Sequence, residues 1–237
     1  GCSNEVSYEV INITNPKGGI ESPGNTSNLC IPTDELNFKI TGWAENSVDT
    51  KYIWDFGDGT PIVTYTQSQL EASQYFDPSN PEYNKFPVPH SYSKGSCSEN
   101  DGQYIAKLTI ENACGSTPLS AGGITVLNPS IAKFESIDIS CINNNITFIN
   151  KSVIGDGTGC LQRADFIWDF GDGTPIVTDY SQETISNQNH KYDSPGKYKV
   201  ILTIPNSRCG DQVFEKEICI EPEITPTFTV NDEEGCI

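Results

Sequence analysis

Apolar and polar residues alternate along several short stretches of the chain. This two-residue period is typical of a β-strand that buries one face. Stretches rich in Gly, Pro, Asn and Ser separate the alternating segments and favour turns. The pattern predicts antiparallel sheets with one face on a core and the other in water. The predicted inward positions are Leu36, Phe38, Ile40, Tyr104, Ala106, Leu108, Ile110, Ile146, Phe148, Tyr198, Val200, Leu202 and Ile204.

One stretch occurs twice in the chain. Residues 53–64 read IWDFGDGTPIVT, and residues 167–178 repeat them letter for letter. Identity at such a separation indicates a duplicated module. In each copy an aromatic segment with Trp54 or Trp168 leads into Gly-Asp-Gly, where the glycines accept positive φ and the Asp carboxylate can bond the turn backbone. Each copy therefore predicts a β-hairpin that carries a core tryptophan.

The repeated motif and the elements after it resemble the PKD domain, an immunoglobulin-like β-sandwich of secreted and cell-surface proteins. In both copies WDFGDGT is followed by His-x-Tyr and then by Gly-x-Tyr. The resemblance implies an all-β fold of tandem immunoglobulin-like (PKD) antiparallel β-sandwiches, in which the motif residues are structural. These residues are Trp54, Asp55, Gly57, Asp58, Gly59, His90, Tyr92 and Tyr104, and in the second copy Trp168, Asp169, Gly171, Asp172, Gly173, His190, Tyr192 and Tyr198.

The repeat also predicts the domain boundaries. We expect one PKD-like domain over residues 17–128 and a second over residues 129–222. Residues 1–16 resemble the last strand of a repeat, either the end of a preceding module or a strand borrowed in its place, and residues 223–237 resemble the start of a third. A rival interpretation takes Gly1-Cys2-Ser3 as the remnant of a lipoprotein cleavage site. Prolines at both junctions predict stiff connections.

Nine cysteines without a Cys-x-x-Cys spacing indicate an oxidising compartment, and they argue against a zinc or thioredoxin-type site. Four of them occupy equivalent places in the two copies, which predicts one long bridge within each domain. The other assignments are less determined, since four cysteines alone allow three connectivities. The expected pairs are Cys30–Cys114 and Cys141–Cys209, followed by Cys160–Cys219 and Cys2–Cys97.

The net charge of −18 excludes some classes of partner. An acidic surface repels nucleic acid and anionic lipid headgroups, so we expect neither partner. The sequence has no long apolar run, which predicts no membrane insertion in this segment. No cofactor is expected. Ca²⁺ is the alternative, because the resemblance to PKD domains, some of which bind Ca²⁺ through loop carboxylates, implies candidate ligands such as Asp138 and Asp156. An EF-hand starting at Asp55 is not expected, since two of its ligand positions are glycines.

The stretch between the motif Trp and the motif His is longer in the first copy, and the excess lies in residues 67–89. Residues 69–73 predict a short helical turn. Long loops on rigid sandwiches often bind ligands. Tyr75, Phe76, Tyr83 and Phe86 are therefore a candidate binding patch, and covering an open sheet edge is the alternative.

No catalytic role is expected. Asp55 and Asp58 straddle a tight turn, whereas the carboxylates of a glycosidase flank a cleft, and no Gly-x-Ser-x-Gly signature is present. Tandem modules with paired cysteines and an acidic balance resemble the large surface adhesins and filaments of gliding Bacteroidetes, exported by the type IX system.

That resemblance implies an extracellular, cell-surface, stiff and disulfide-locked spacer with a role in adhesion or gliding motility, whose partners are the neighbouring repeats of the same chain. Two alternatives are a glycan- or protein-binding module acting through residues 67–89, and an accessory region of a secreted protease or polysaccharide hydrolase.

Overall fold

The computed structural model describes residues 14–181, 185–206, 208–224 and 226–227. The chain divides between Asn128 and Pro129 into two compact units. The first unit extends to Asn128 and also includes Thr158–Cys160, and the second contains the remaining described residues from Pro129 onwards. The strand predicted over residues 1–16, the third repeat predicted over residues 223–237, and Cys2 lie largely or wholly outside the described residues.

The first unit is built from two antiparallel sheets. One has the order β1-β3-β6 and the other the order β5-β4-β7-β8, while β2 pairs with β9 in parallel. A helix, α1, follows β5, and short 3-10 turns lie at Pro81–Tyr83 and Asn100–Gly102. The bounds are β1 Gly19–Glu21, β2 Leu29–Cys30, β3 Leu36–Thr41, β4 Lys51–Asp55, β5 Val63–Thr66, α1 Gln67–Glu71, β6 Lys85–His90, β7 Tyr104–Asn112, β8 Gly115–Ile124 and β9 Val126–Leu127.

The second unit repeats this arrangement without the helix among its described residues. Its three-stranded sheet has the order β10-β12-β15, and its five-stranded sheet has the order β11-β17-β16-β13-β14. The strand β11 pairs with β17 in parallel, as β2 does with β9. The bounds are β10 Phe134–Glu135, β11 Ile139–Cys141, β12 Ile146–Asn150, β13 Ala164–Asp169, β14 Val177–Ser181, β15 Gln188–His190, β16 Gly196–Ile204 and β17 Gln212–Glu221.

Each unit has its own aromatic core, and the all-β, immunoglobulin-like prediction is confirmed. The predicted inward positions are buried, except that Tyr198 is only partly covered. Trp54 and Trp168 are fully buried, and each lies in a strand that pairs with the hairpin strand after it, as predicted. In β3 and β12 the alternating apolar residues are the buried ones, because successive side chains of a strand point to opposite faces. No helix in the described part of the chain is long and apolar enough to cross a membrane.

The predicted long disulfides are wrong. Cys30 and Cys209 are each disulfide-bonded, but Cys114 and Cys141 are thiols. Cys30 lies opposite Leu127 in β9, whereas Cys114 lies in the turn at the far end of β8. A strand of that length separates them by roughly 30 Å, and a disulfide requires Cα atoms within about 7 Å. The same geometry holds in the second unit, where Cys141 pairs with Glu221 at one end of β17 and Cys209 precedes its other end.

The described structure instead contains a bond between Cys97 and Cys160, with Cα atoms 5.4 Å apart. This bond contradicts both the Cys160–Cys219 and the Cys2–Cys97 assignments, and Cys219 is a thiol. Cys97 and Cys160 lie in loops that differ between the two copies, so neither has an equivalent cysteine in the other repeat. That shared property is the sequence signal that could have identified the pair.

Candidate functional site

The repeated Gly-Asp-Gly turn is held by its own carboxylates. Asp55 Oδ1 accepts a hydrogen bond from the Gly57 amide at 2.9 Å. Asp58 Oδ1 accepts from the Thr60 amide at 3.1 Å and from the Thr60 hydroxyl at 2.5 Å. Such bonds from an Asp to the backbone two residues on stabilise a turn. The second copy repeats all three, with Asp169 to Gly171 at 2.8 Å and Asp172 to Thr174 at 3.0 and 2.6 Å.

The motif histidine links the turn to the other sheet. His90 Nε2 lies 2.9 Å from Asp58 Oδ2, and its ring stacks on Phe56 with centroids 3.8 Å apart. Tyr92 contacts the histidine ring edge-on and donates its hydroxyl hydrogen to the Phe56 carbonyl at 3.2 Å. In the second copy His190 lies 2.7 Å from Asp172 and stacks on Phe170, and Tyr192 donates to the Phe170 carbonyl at 3.0 Å.

The last motif tyrosines extend this aromatic stack. Tyr104 stacks on Tyr92 with centroids 5.0 Å apart and donates its hydroxyl hydrogen to the Gly95 carbonyl at 3.0 Å. Tyr198 packs on Tyr192 at 4.3 Å and donates to the Ser194 carbonyl at 2.9 Å. The hydroxyls of both tyrosines thus donate hydrogen bonds to carbonyl groups of the loop backbone, which is a structural role.

One glycine of each turn is required by close packing. Gly57 has a φ of +78°, and a Cβ at that position would lie 2.7 Å from the Ile105 carbonyl oxygen of β7. Gly171 has a φ of +77°, and its Cβ would lie 2.5 Å from the Lys199 carbonyl oxygen. Gly59 has the same φ as Gly57 but faces open space. Gly173 resembles Gly59, with a φ of +81° and open space around it.

We call the bonded side chains of each motif the clamp, which comprises Asp55, Asp58, His90, Tyr92 and Tyr104 in the first copy and Asp169, Asp172, His190, Tyr192 and Tyr198 in the second. Its electrostatics favour charged carboxylates. Burial raises the pKa of Asp58, but hydrogen bonds from Thr60 and His90 outweigh burial and hold that pKa below its usual value. The same balance lowers the pKa of Asp172. Burial, followed by the nearby Asp58 charge, raises the pKa of Tyr92. The clamp therefore holds an ionised Asp and a neutral Tyr at neutral pH.

The insertion of residues 67–89 is anchored to the core by its apolar side chains. Phe76 packs against the buried Trp43 with centroids 5.7 Å apart, and Phe86 packs against Tyr65 at 5.1 Å. Tyr75 is 41% exposed and Tyr83 is 68% exposed. The structure thus splits the predicted patch, because the two phenylalanines fill the edge of the core while the two tyrosines face solvent.

Polar contacts hold the insertion as well. The helix α1 begins with a capping box, in which Thr66 and Gln69 bond each other's backbone amides. Gln67 is buried and accepts the Tyr52 hydroxyl hydrogen at 2.6 Å. Burial raises the pKa of Tyr52 to about 12. The helix follows the edge strand β5 and the insertion ends at the edge strand β6, so residues 67–89 join the open edges of the two sheets.

A shallow groove lies beside the insertion. It encloses about 480 Å³ and is lined by Ala44 and Glu45 on one side and by Ser79, Asn80, Pro81 and Glu82 on the other. The loop that forms the second side is fixed by Asn84, which is buried and bonds the Asp77 backbone at 2.9 and 3.3 Å. The sequence did not predict this groove or the packing of Phe76 on Trp43. Both depend on contacts between segments that are distant in the chain.

Asp138 and Asp156, the two loop carboxylates considered for Ca²⁺, do not belong to a cluster of metal-ligating side chains in the part of the chain that the structure describes. Asp138 forms an ion pair with Lys216 at 2.7 Å, and Asp156 is buried. Within the described ranges, no group of three or more His, Cys, Asp or Glu side chains is placed to hold a metal ion.

Residues 138–217 match the family model of the PKD domain. The family model thus finds a PKD domain in this stretch of the chain. The matched stretch includes the second copy of the clamp, from Asp169 to Tyr198, so the PKD match and the clamp geometry coincide. Human polycystin-1 is 28% identical over 170 residues, which is 70% of this chain and 4% of the length of polycystin-1. The chain thus spans only a small part of that relative.

Solved structures show more distant likeness. The PKD domain of the human VPS10 domain-containing receptor SorCS2 is 20% identical, with 53% of this chain and 90% of that chain covered and a TM-score of 0.33. The fibronectin(III)-like modules of Clostridium thermocellum CbhA are 14% identical, with 89% of this chain and all of that chain covered and a TM-score of 0.30.

Proposed function

We propose that this chain is a non-catalytic spacer segment of a larger extracellular protein. One observation carries the proposal. The carboxylates and imidazoles of the repeated motif bond the turn and one another in both units, so the groups that could perform acid or base chemistry hold the hairpin instead. The polar groups of the clamp bond one another in both copies, and this arrangement suits a module that acts as a structural spacer.

The PKD domain and the disulfides fit an extracellular location. We further propose a cell-surface adhesin or filament of the kind used in gliding motility as the parent protein. This part of the proposal rests on the tandem arrangement, the acidic charge and the resemblance described above.

Domain replacement in the full-length parent protein tests the spacer role. The segment would be replaced by an unrelated pair of immunoglobulin-like domains of equal length, and a deletion would serve as the comparison. We expect the replacement to preserve adhesion or motility and the deletion to impair it, with equal surface levels checked by immunoblotting. A replacement that fails as completely as the deletion would show that this sequence has a function beyond length and stiffness.

The exposed tyrosines favour a second candidate function, which is glycan or protein binding through the insertion. Tyr75 and Tyr83 stay exposed although the loop around them is fixed by Phe76 and Asn84, and the groove lies next to Tyr83 in the chain. Exposed aromatic side chains on a fixed loop are typical of binding sites.

This second candidate predicts that Tyr75→Ala with Tyr83→Ala abolishes binding to cells or to a glycan array, with no change in thermal unfolding. Tyr180→Ala is the matched control, since Tyr180 is 55% exposed in the second unit. Equal binding by the double variant and the control would rule out this use of the insertion.

A further inference from the structure

The Cys97–Cys160 disulfide closes a large covalent loop. The two cysteines are 63 positions apart in the sequence. The enclosed chain contains the strands β7, β8 and β9 of the first unit and β10, β11 and β12 of the second. The bond therefore joins two points of the backbone that flank the boundary at Asn128.

The attachment point at Cys97 is firmly held in the first unit. The neighbouring Ser96 is fully buried and its amide donates to the Val126 carbonyl at 2.8 Å. The Ser96 hydroxyl donates to the Gly102 carbonyl at 2.7 Å, and the Gly95 amide donates to Asn128 Oδ1 at 3.2 Å. Cys97 is thus anchored to β9 by its neighbours as well as bonded to Cys160.

From this connectivity we infer a mechanical function: the disulfide is an extension limiter that carries tension directly from Cys97 to Cys160. Tension on a cross-linked chain follows the covalent path, so a force applied at the two ends of the chain passes through the sulfur atoms. The backbone enclosed by the bond then carries none of it. The load reaches only the segments before Cys97 and after Cys160.

The segment enclosed by the disulfide includes one strand of each parallel pair in the described structure. The strand β9 pairs in parallel with β2, and β11 pairs in parallel with β17. Without the bond, tension would pull β2 and β9 in opposite directions along their length, and likewise β11 and β17. With the bond, β9 and β11 are relieved of direct load, and the enclosed strands cannot be drawn out.

This inference deepens the spacer proposal, because the limiter matters in the cell only where the segment bears tension. The mechanical property itself follows from the bond and can be measured on the isolated chain. A negative result here would leave the domain replacement experiment unaffected, and the reverse also holds.

Single-molecule stretching of the 237-residue chain from its two ends tests the inference. We compare the wild type with the variant Cys97→Ser and Cys160→Ser. The fully extended wild-type chain should be shorter than the variant by roughly 200 Å, because an extended backbone spans at most about 3.3–3.6 Å per residue over the enclosed loop. The measurement uses the unfolded length, so it remains valid if the variant folds poorly.

The double variant Cys141→Ser and Cys219→Ser is the matched control, since it removes two thiols and keeps the limiter. It should extend as the wild type does. Adding dithiothreitol during stretching gives a second measurement. Two electrons and two protons pass from the dithiol to the Cys97–Cys160 bond, which yields two thiols and a cyclic disulfide. The wild type should then show a lengthening step of the same size that the Cys97 and Cys160 variant lacks, whereas reduction of the bonds at Cys30 and Cys209 affects both chains alike. Equal extended lengths for the wild type and the Cys97 and Cys160 variant would overturn the inference.

Discussion

At the scale of single residues, the Asp, His and Tyr side chains of the motif bond the turn, the strand and one another. Each Asp accepts hydrogen bonds from the turn, the histidine joins the Asp to an aromatic stack, and the tyrosine hydroxyl reaches back to the strand carbonyl. The Asp, His and Tyr side chains therefore each have a defined partner, whereas the buried indole nitrogens of Trp54 and Trp168 have no hydrogen-bond partner among the described residues. The two glycines of a turn look equivalent in the sequence, but their surroundings differ.

The contrast between Gly57 and Gly59 gives the first prediction. Gly59→Ala should lower the free energy of unfolding by about 1 kcal/mol, because only the left-handed φ opposes the new Cβ. Gly57→Ala should cost clearly more, since its Cβ also collides with the Ile105 carbonyl of β7. Urea unfolding followed by tryptophan fluorescence would measure both changes. Equal losses would show that β7 moves away without cost.

The lowered pKa of Asp58 gives a pH-dependent prediction. A carboxyl whose folded pKa lies below its unfolded value of about 3.9 stabilises the fold above that pH, and the contribution is lost as the pH falls through the lower folded pKa. Asp58→Asn removes the charged acceptor and should cost about 2 kcal/mol at pH 7.

The difference between the wild type and Asp58→Asn should then shrink below about pH 4. Urea midpoints measured at pH 7 and pH 3 would show it. An unchanged difference at both pH values would mean that the Asp58 charge does not stabilise the hairpin.

At the scale of elements, the insertion of residues 67–89 is a main difference between the two units, which share the same arrangement of strands. The helix α1 and the loop after it join the edge strands β5 and β6, and Leu70 and Phe76 pack on the first core. These contacts hold residues 67–89 against the first core, and the covering of an open sheet edge by them stays a prediction. Open strand edges are otherwise exposed to pairing with other chains.

Truncating the helix tests this covering role. Leu70→Ala should lower the free energy of unfolding by about 2–5 kcal/mol, because Leu70 is fully buried in the first core. Tyr83→Ala is the control, since Tyr83 is largely exposed and should change stability by less than about 0.5 kcal/mol. Urea unfolding checks both. A Leu70→Ala variant as stable as the control would mean that α1 is dispensable for the core.

At the scale of the whole molecule, the sequence repeat and the disulfides give different information. The repeat places equivalent cysteines at equivalent points of two similar units, and the structure agrees that Cys30 and Cys141 lie on equivalent strands. Equivalence of position did not imply contact, because Cys30 and Cys114 lie at opposite ends of β8. The bond that the described structure contains joins Cys97 and Cys160, which have no equivalents.

The sequence by itself determined the strands, their inward faces and the two Gly-Asp-Gly turns, because these depend on a two-residue period and on contacts within a hairpin. It also determined that the motif acids are turn residues, since their partners lie two positions along the chain. Only the tertiary structure decided which cysteines bond, which insertion aromatics are buried, and where the groove lies. These features depend on distances between segments far apart in the chain, and such distances are set by how strands pair and sheets pack.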